Sequence, residues 1–297
     1  VFYSTYTNWS KLELFYKKAC SIISYAAKVL GMIITKIVYV CLFLFLMIAL
    51  FWLKEKPTEA NTFQVTEQQT IRVLFIGNSY TYVNDLPWLT QQLAESAKET
   101  RTLETEMVVV GGATLKSHWK RGKALRLLRA KQWDYVVLQE QSTLPITNPK
   151  EMYKYANLFD AEIKRVNSQT VFYLTWAKQN QPETQQILTD SYMAIAKKLK
   201  AKVAPVGIVW QKVQEANPKL NLYNPDQSHP SPIGSYLAAC IFFYKTFYKG
   251  SLVGLSRRIY SSQFNTPEEG NTVELESLSE TDAEIVQNLV EDIVREI

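Results

Sequence analysis

Histidine and cysteine are scarce in this sequence, with two and three residues respectively among 297. The cysteines, Cys20, Cys41 and Cys240, include no C-x-x-C pair, which leaves neither a disulfide framework nor a zinc site suggested. No internal repeat or low-complexity tract is visible, so nothing points to a repeat array. A strong charge of one sign is missing too. The formal net charge is +5, split into +4 over residues 1–36, −7 over 271–297 and +8 between them. That is mild for the length and does not read as nucleic-acid binding.

What is present begins with IVYVCLFLFLMIALFWL, residues 37–53, seventeen residues without a charge between Lys36 and Lys54-Glu55-Lys56. This is the short end of what spans a hydrocarbon core, and Ile33, Ile34 and Thr35 can extend it while Lys36 snorkels. Lysines before the run outnumber those just after it, which places residues 1–36 in the cytoplasm and the rest outside. The expected organisation is a cytoplasmic or interfacial segment 1–36, a transmembrane anchor 37–53, a polar linker 54–70 and one domain over 71–297. Residues 19–35 are expected as an interfacial helix. A cleaved signal is the alternative, with Thr58-Glu59-Ala60 as its small-residue cut.

Beyond the linker, short β-rich runs alternate with amphipathic stretches. The runs are 71–76, 106–110, 134–139, 170–176 and 202–210, and the helical patterns fall at 86–99, 116–131, 150–167 and 184–200. The near-continuous apolar strands predict a parallel sheet covered by helices on both faces. A Thr281/Glu284 pair predicts a capping box for a C-terminal amphipathic helix packed on the domain. Seven basic residues and no acid lie between Lys116 and Lys131, a pattern that reads first as a solvated helix face.

In open α/β sheets ligands bind beyond the carboxyl ends of the strands, so the residues after each apolar run carry the information. FIGNSYT places Ser79 after the first run, where it could be a nucleophile, a helix N-cap or a loop polar group. Gly111-Gly112 follows the second and Gln139-Glu140-Gln141-Ser142 the third. Thr175-Trp176 follows the fourth, with Lys178 close behind. Late in the chain NPDQSHPS supplies Asp226 three residues before His229, in a proline-rich loop that packing periodicity does not explain. A serine nucleophile needs a base, and the base needs an acceptor to fix its tautomer. His118 has no acid partner nearby in sequence and reads as structural or solvated.

These blocks resemble, in order and over residues 71–245, those of the SGNH/GDSL-type hydrolases, in a branch with GNS and LQxQS blocks. The resemblance implies a flavodoxin-like three-layer α/β/α sandwich with a central parallel sheet, here preceded by the N-terminal transmembrane helix. It implies catalysis by Ser79, Asp226 and His229. It further implies an oxyanion hole from the backbone N–H groups of Ser79 and Gly112 with a glutamine side chain, Gln141 ahead of Gln139. Two positions depart from the family pattern. Asn78 stands for the aspartate of Gly-Asp-Ser, and Gln139-Glu140-Gln141 replaces Gly-x-Asn. Trp176 and Lys178, which follow the fourth apolar run, have two readings of equal weight, lining of the substrate cleft and core packing or solvation. The implied activity is that of a membrane-anchored serine esterase acting on O-acyl esters of a small molecule or an envelope or extracellular carbohydrate, with no metal or organic cofactor. An O-acyltransferase with the same site and a non-catalytic carbohydrate-binding or scaffold protein are the alternatives.

Overall fold

The computed structural model describes residues 6–54, 70–99, 101–248, 250–252, 254–256, 258–262, 272–277 and 279–297. The chain divides into two compact units, Val1–Val65 and Thr66–Ile297.

The described residues of the first unit form a single helix, α1 (Tyr6–Lys54). It contains no proline and only one glycine, Gly31, so nothing in its sequence interrupts the backbone ladder. Its stretch Glu13–Leu50, 38 residues at mean hydropathy 2.6, is long and apolar enough to cross a membrane, a criterion that a signal sequence also meets. At 1.5 Å per residue that stretch runs about 57 Å, against roughly 30 Å of hydrocarbon core. The helix thus extends well beyond the expected span 37–53, and the separate interfacial helix expected over 19–35 is part of the same continuous rod. The expected linker 54–70, apart from its two end residues, and the Thr58-Glu59-Ala60 cut lie outside the described residues.

The second unit is built on five strands, β1 (Thr70–Gly77), β2 (Thr102–Val109), β3 (Tyr135–Leu138), β4 (Gln169–Tyr173) and β5 (Lys202–Ala204). They pair in parallel in the order β2-β1-β3-β4-β5. Side-chain alternation sends Val73, Phe75, Val137, Val171 and Tyr173 to one face. Leu74, Ile76, Val136, Leu138 and Phe172 go to the other. All ten are buried, which is why the strands read as unbroken apolar runs. The first face is covered by α3 (Leu86–Ser96), α9 (Val206–Ala216), α10 (Pro232–Ile241) and α11 (Glu280–Glu296). The second is covered by α4 (Leu115–Arg121), α5 (Lys123–Ala130), α7 (Pro149–Arg165) and α8 (Gln185–Leu199). Short α2 (Ser79–Tyr82) and α6 (Leu144–Thr147) sit at the carboxyl ends of β1 and β3. The architecture is the three-layer α/β/α sandwich expected.

Several boundaries differ from the sequence reading, each for a local reason. The apolar run 202–210 is not one strand: it stops at Ala204 and, past Pro205, coils into α9. Proline lacks the N–H that a continuing ladder would need. The helical pattern 116–131 is broken at Gly122, whose φ of 71° ends α4 and opens α5. The basic run on these helices is partly paired, Lys116 with Glu151 at 2.7 Å and Arg129 with Glu162 at 2.6 Å. The N-cap of α11 is Ser279, which accepts from the Asp282 N–H, not Thr281. The helix itself packs on the domain as expected, through Ala283, Val286, Val290 and Val294. An antiparallel pair, β6 (Arg258–Ser262) and β7 (Thr272–Ser277), was not anticipated.

Candidate active site

The strand order reverses between β1 and β3, and this switch point is where open α/β sheets leave a crevice at their carboxyl edge. Ser79 leaves β1 there, and Gln139–Gln141 leave β3 beside it.

The turn carrying Ser79 is fixed by neighbours on three sides. Asn78 caps α2 by accepting from the Tyr80 N–H at 3.1 Å, and its Nδ2 donates to the Ala113 carbonyl at 3.0 Å. Its own N–H donates to Gln139 Oε1 at 2.8 Å, and Gln139 Nε2 donates back to Asn78 Oδ1 at 2.9 Å. Asn78 therefore ties the nucleophile turn to both the GGAT loop (Gly111–Thr114) and the end of β3, which accounts for an amide, a donor as well as an acceptor, at this position. His118 is structural. Its ring is buried, and Nε2 lies 2.8 Å from the Gly77 carbonyl. Burial pushes its pKa down, with the Gly77 bond opposing.

His229 Nε2 stands 2.8 Å from Ser79 Oγ, and His229 Nδ1 is hydrogen-bonded to Asp226 Oδ2. A carboxylate only accepts, so Nδ1 carries the proton and Nε2 is left to accept from the serine hydroxyl. Asp226 Oδ1 also accepts the N–H groups of Ser228 at 3.0 Å and His229 at 2.9 Å. The hydrogen bond from the His229 ring, helped by these backbone bonds, lowers the Asp226 pKa to about 2, outweighing the upward push of burial. The loop is closed on itself by Asn224 N–H donating to the His229 carbonyl at 2.8 Å. It is tied to the nucleophile segment by Asn84 Nδ2, which donates to the Pro230 carbonyl at 3.2 Å and to Ser235 Oγ at 2.9 Å. Tyr80 completes the join. Its hydroxyl bonds Ser228 Oγ at 2.7 Å, and its ring meets His229 edge-on at 5.6 Å.

The two glutamines have separate duties. Gln139 is fully buried, and both hydrogens of its amide are engaged, by Asn78 Oδ1 and by the Glu140 carbonyl. Gln141 uses Oε1 to accept the Thr143 and Leu144 N–H groups at 3.0 Å each, while Nε2 touches only Ser142 Oγ at 3.3 Å. Gln141 thus retains an amide hydrogen to give, and Gln139 does not. Gly112, at φ 65°, is exposed at the tip of the GGAT turn.

Trp176 does not line a cleft. It is 1% exposed, stacks on Tyr80 at 4.7 Å and on Trp210 at 3.9 Å, and donates Nε1 to the Ser228 carbonyl at 3.0 Å. An indole that apolar and flat is more stable in the core, and it serves the site by bracing the base-bearing loop. Lys178 is half-buried in the next loop, where the Gln179 N–H donates to the Gln227 carbonyl at 2.9 Å.

Glu140 was not singled out from the sequence. It is buried, and its Oε1 accepts the N–H groups of Leu115 at 3.1 Å and Gln141 at 2.7 Å, stitching the GGAT loop to the end of β3. Oε2 is buried without a hydrogen-bond partner among the described residues. Burial, only partly offset by those two bonds, pushes the carboxyl pKa up to about 7. A glutamate among polar neighbours at a strand end gives no sequence signal that it will be enclosed. Among the described residues no group of three or more His, Cys, Asp or Glu could hold a metal ion.

Fold and site together define the serine-hydrolase arrangement on a flavodoxin-like sandwich. No protein-family model matches the chain, and no curated protein does. Solved structures do. A protein from Slackia heliotrinireducens, provisionally described as an SGNH hydrolase, is 26% identical, with a TM-score of 0.53 over 60% of this chain and 100% of its own. A DUF4886 family protein from Bacteroides uniformis is 18% identical, with a TM-score of 0.57 over 76% of this chain and 95% of its own. An acetyl xylan esterase is 16% identical, with a TM-score of 0.52 over 60% of this chain and 100% of its own. The chain has the SGNH-hydrolase fold, one that carboxylic ester hydrolases share.

Proposed function

We propose that this protein is a membrane-anchored serine esterase that removes O-acyl groups, acetyl foremost, from a carbohydrate outside the cytoplasm. The observation that carries the reading is the Asp226–His229–Ser79 hydrogen-bonded chain, with Nε2 set 2.8 Å from the hydroxyl whose proton it would take. Ser79 Oγ attacks the ester carbonyl as His229 accepts its proton, with Asp226 holding the tautomer and balancing the imidazolium. The backbone N–H groups of Ser79 and Gly112 and the spare Gln141 amide hydrogen receive the developing oxyanion. His229 then protonates the departing alcohol, and water, activated by the same imidazole, hydrolyses the acyl-enzyme. A shallow site favours a bulky alcohol such as a glycan: the Asp226 side chain is 49% exposed and that of His229 33%.

The test is hydrolysis of p-nitrophenyl esters from acetate to laurate by the full chain in detergent. Acetate should be preferred, and Ser79→Ala and His229→Ala should each lower kcat by at least ~10³, without additivity in the double variant. Gln141→Ala should lower kcat by roughly 10²–10³ with little change in KM. Gln139→Ala should act on stability, because it strands the buried Asn78 N–H. A serine-directed phosphonate should label Ser79. A parent protein that hydrolyses no ester and resists the label would refute the reading.

A further inference from the structure

Behind the catalytic loop lies a second feature that the hydrolytic chemistry does not use. A cavity of about 210 Å³ opens beside Trp210 and Tyr223, walled by the side chains of Gln179, Gln211, Gln214 and Glu215. Pockets for drug-sized ligands run to roughly 300–1,000 Å³, so this one suits a single small ring. No lysine, arginine or histidine lines it, which disfavours an anion. Trp210 and Tyr223 are 1% and 6% exposed, so they present edges to the cavity and cannot form the open-faced cage that a quaternary ammonium requires. What remains is a polar wall of amides and one carboxylate, Glu215, over an aromatic floor. Gln179, Gln211 and Glu215 make no side-chain hydrogen bond or ion pair among the described residues. Each amide offers a donor and an acceptor, and the carboxylate accepts twice. That set matches neighbouring hydroxyls, which both give and take hydrogen bonds.

The cavity is also continuous with the loop that bears the base. Tyr223 Oη donates to the Ala177 carbonyl at 2.8 Å, and the Gln179 N–H donates to the Gln227 carbonyl at 2.9 Å, one residue past Asp226. Tyr223 pairs across the loop with Pro230, next to His229. Trp176, whose indole holds the Ser228 carbonyl, is stacked on Trp210, part of the cavity's floor.

We propose that this cavity is an accessory subsite for one neutral sugar ring of an oligosaccharide whose acylated ring lies at Ser79. Only the second half of that statement rests on the esterase reading, and the experiment separates the two. The Ser79→Ala full-length protein, in a zwitterionic detergent because a glycoside detergent would compete, is titrated calorimetrically with unacetylated tetrasaccharides of xylose, glucose and N-acetylglucosamine. At least one should bind, and the exposed-residue pair Gln211→Ala/Glu215→Ala should weaken it at least tenfold. In the Ser79 enzyme the same pair should raise KM for the acetylated form of that tetrasaccharide at least tenfold and leave p-nitrophenyl acetate hydrolysis unchanged. Absence of binding by all three sugars, or equal binding by the pair variant, would overturn the subsite. A fall in p-nitrophenyl acetate hydrolysis would overturn it too, by assigning these residues to the loop's geometry. Sugar binding without ester hydrolysis would sustain the subsite and defeat the esterase.

Discussion

Two carboxyls at the carboxyl-edge loops, Asp226 and Glu140, are driven in opposite directions. Asp226, largely in water, is held down to about 2 by the His229 ring and remains charged throughout any working pH. Glu140, enclosed, is pushed from its ordinary 4.5 up to about 7. A folded-state pKa raised above the unfolded one means the native protein holds the extra proton between those values, so stability falls as pH rises from about 4.5 to about 7. The loss should approach ~3 kcal/mol across that window. Thermal unfolding of the parent and of Glu140→Gln at pH 5 and pH 8 checks this: the parent's stability should drop relative to a variant that has nothing to titrate. Equal slopes would mean Glu140 is ionised throughout. At this scale the sequence was legible where chemistry imposes spacing. An acid three residues before one of two histidines, following a Gly-Asn-Ser turn, pointed to residues the fold does bring together. It was illegible where burial decides. Glutamate, glutamine and tryptophan side chains at strand ends look alike on paper whether they face substrate or, as with Gln139, Glu140 and Trp176, the interior.

Among the elements, strands β1, β3 and β4 were readable because both their faces are buried and their composition says so. The errors came from short apolar runs, which periodicity alone cannot divide between strand and helix. Residues 206–210 are the clear instance, apolar because α9 packs on the sheet. Gly207 shows how closely: a Cβ there would stand 2.0 Å from the Thr175 carbonyl oxygen. That oxygen is backbone and cannot swing aside. Gly207→Ala should therefore lower stability by about 1–3 kcal/mol, read as a fall in Tm, because helix and strand end must separate to admit one methyl group. An unchanged Tm would show that α9 can slide freely on the sheet. The antiparallel pair β6–β7, two short strands of five and six residues, and the cap at Ser279 also escaped notice.

For the whole molecule, our proposal of a domain outside the cytoplasm with residues 1–36 inside rests on the lysines ahead of the apolar stretch. Protease applied to intact cells should digest the domain beyond residue 70 and spare the N-terminal segment; protection of the domain would reverse the orientation. The triad also has a temporal side. Ser79 and His229 are 150 positions apart in the chain, and β1, which delivers the serine, sits inside the sheet with both its neighbours encoded before residue 140. At about 5–20 residues per second, a ribosome needs roughly 8–30 s to make the intervening length. During that time Ser79 has no His229 to take its proton. Under the proposed mechanism a chain that stops short of His229 lacks the base and has no hydrolytic activity to release.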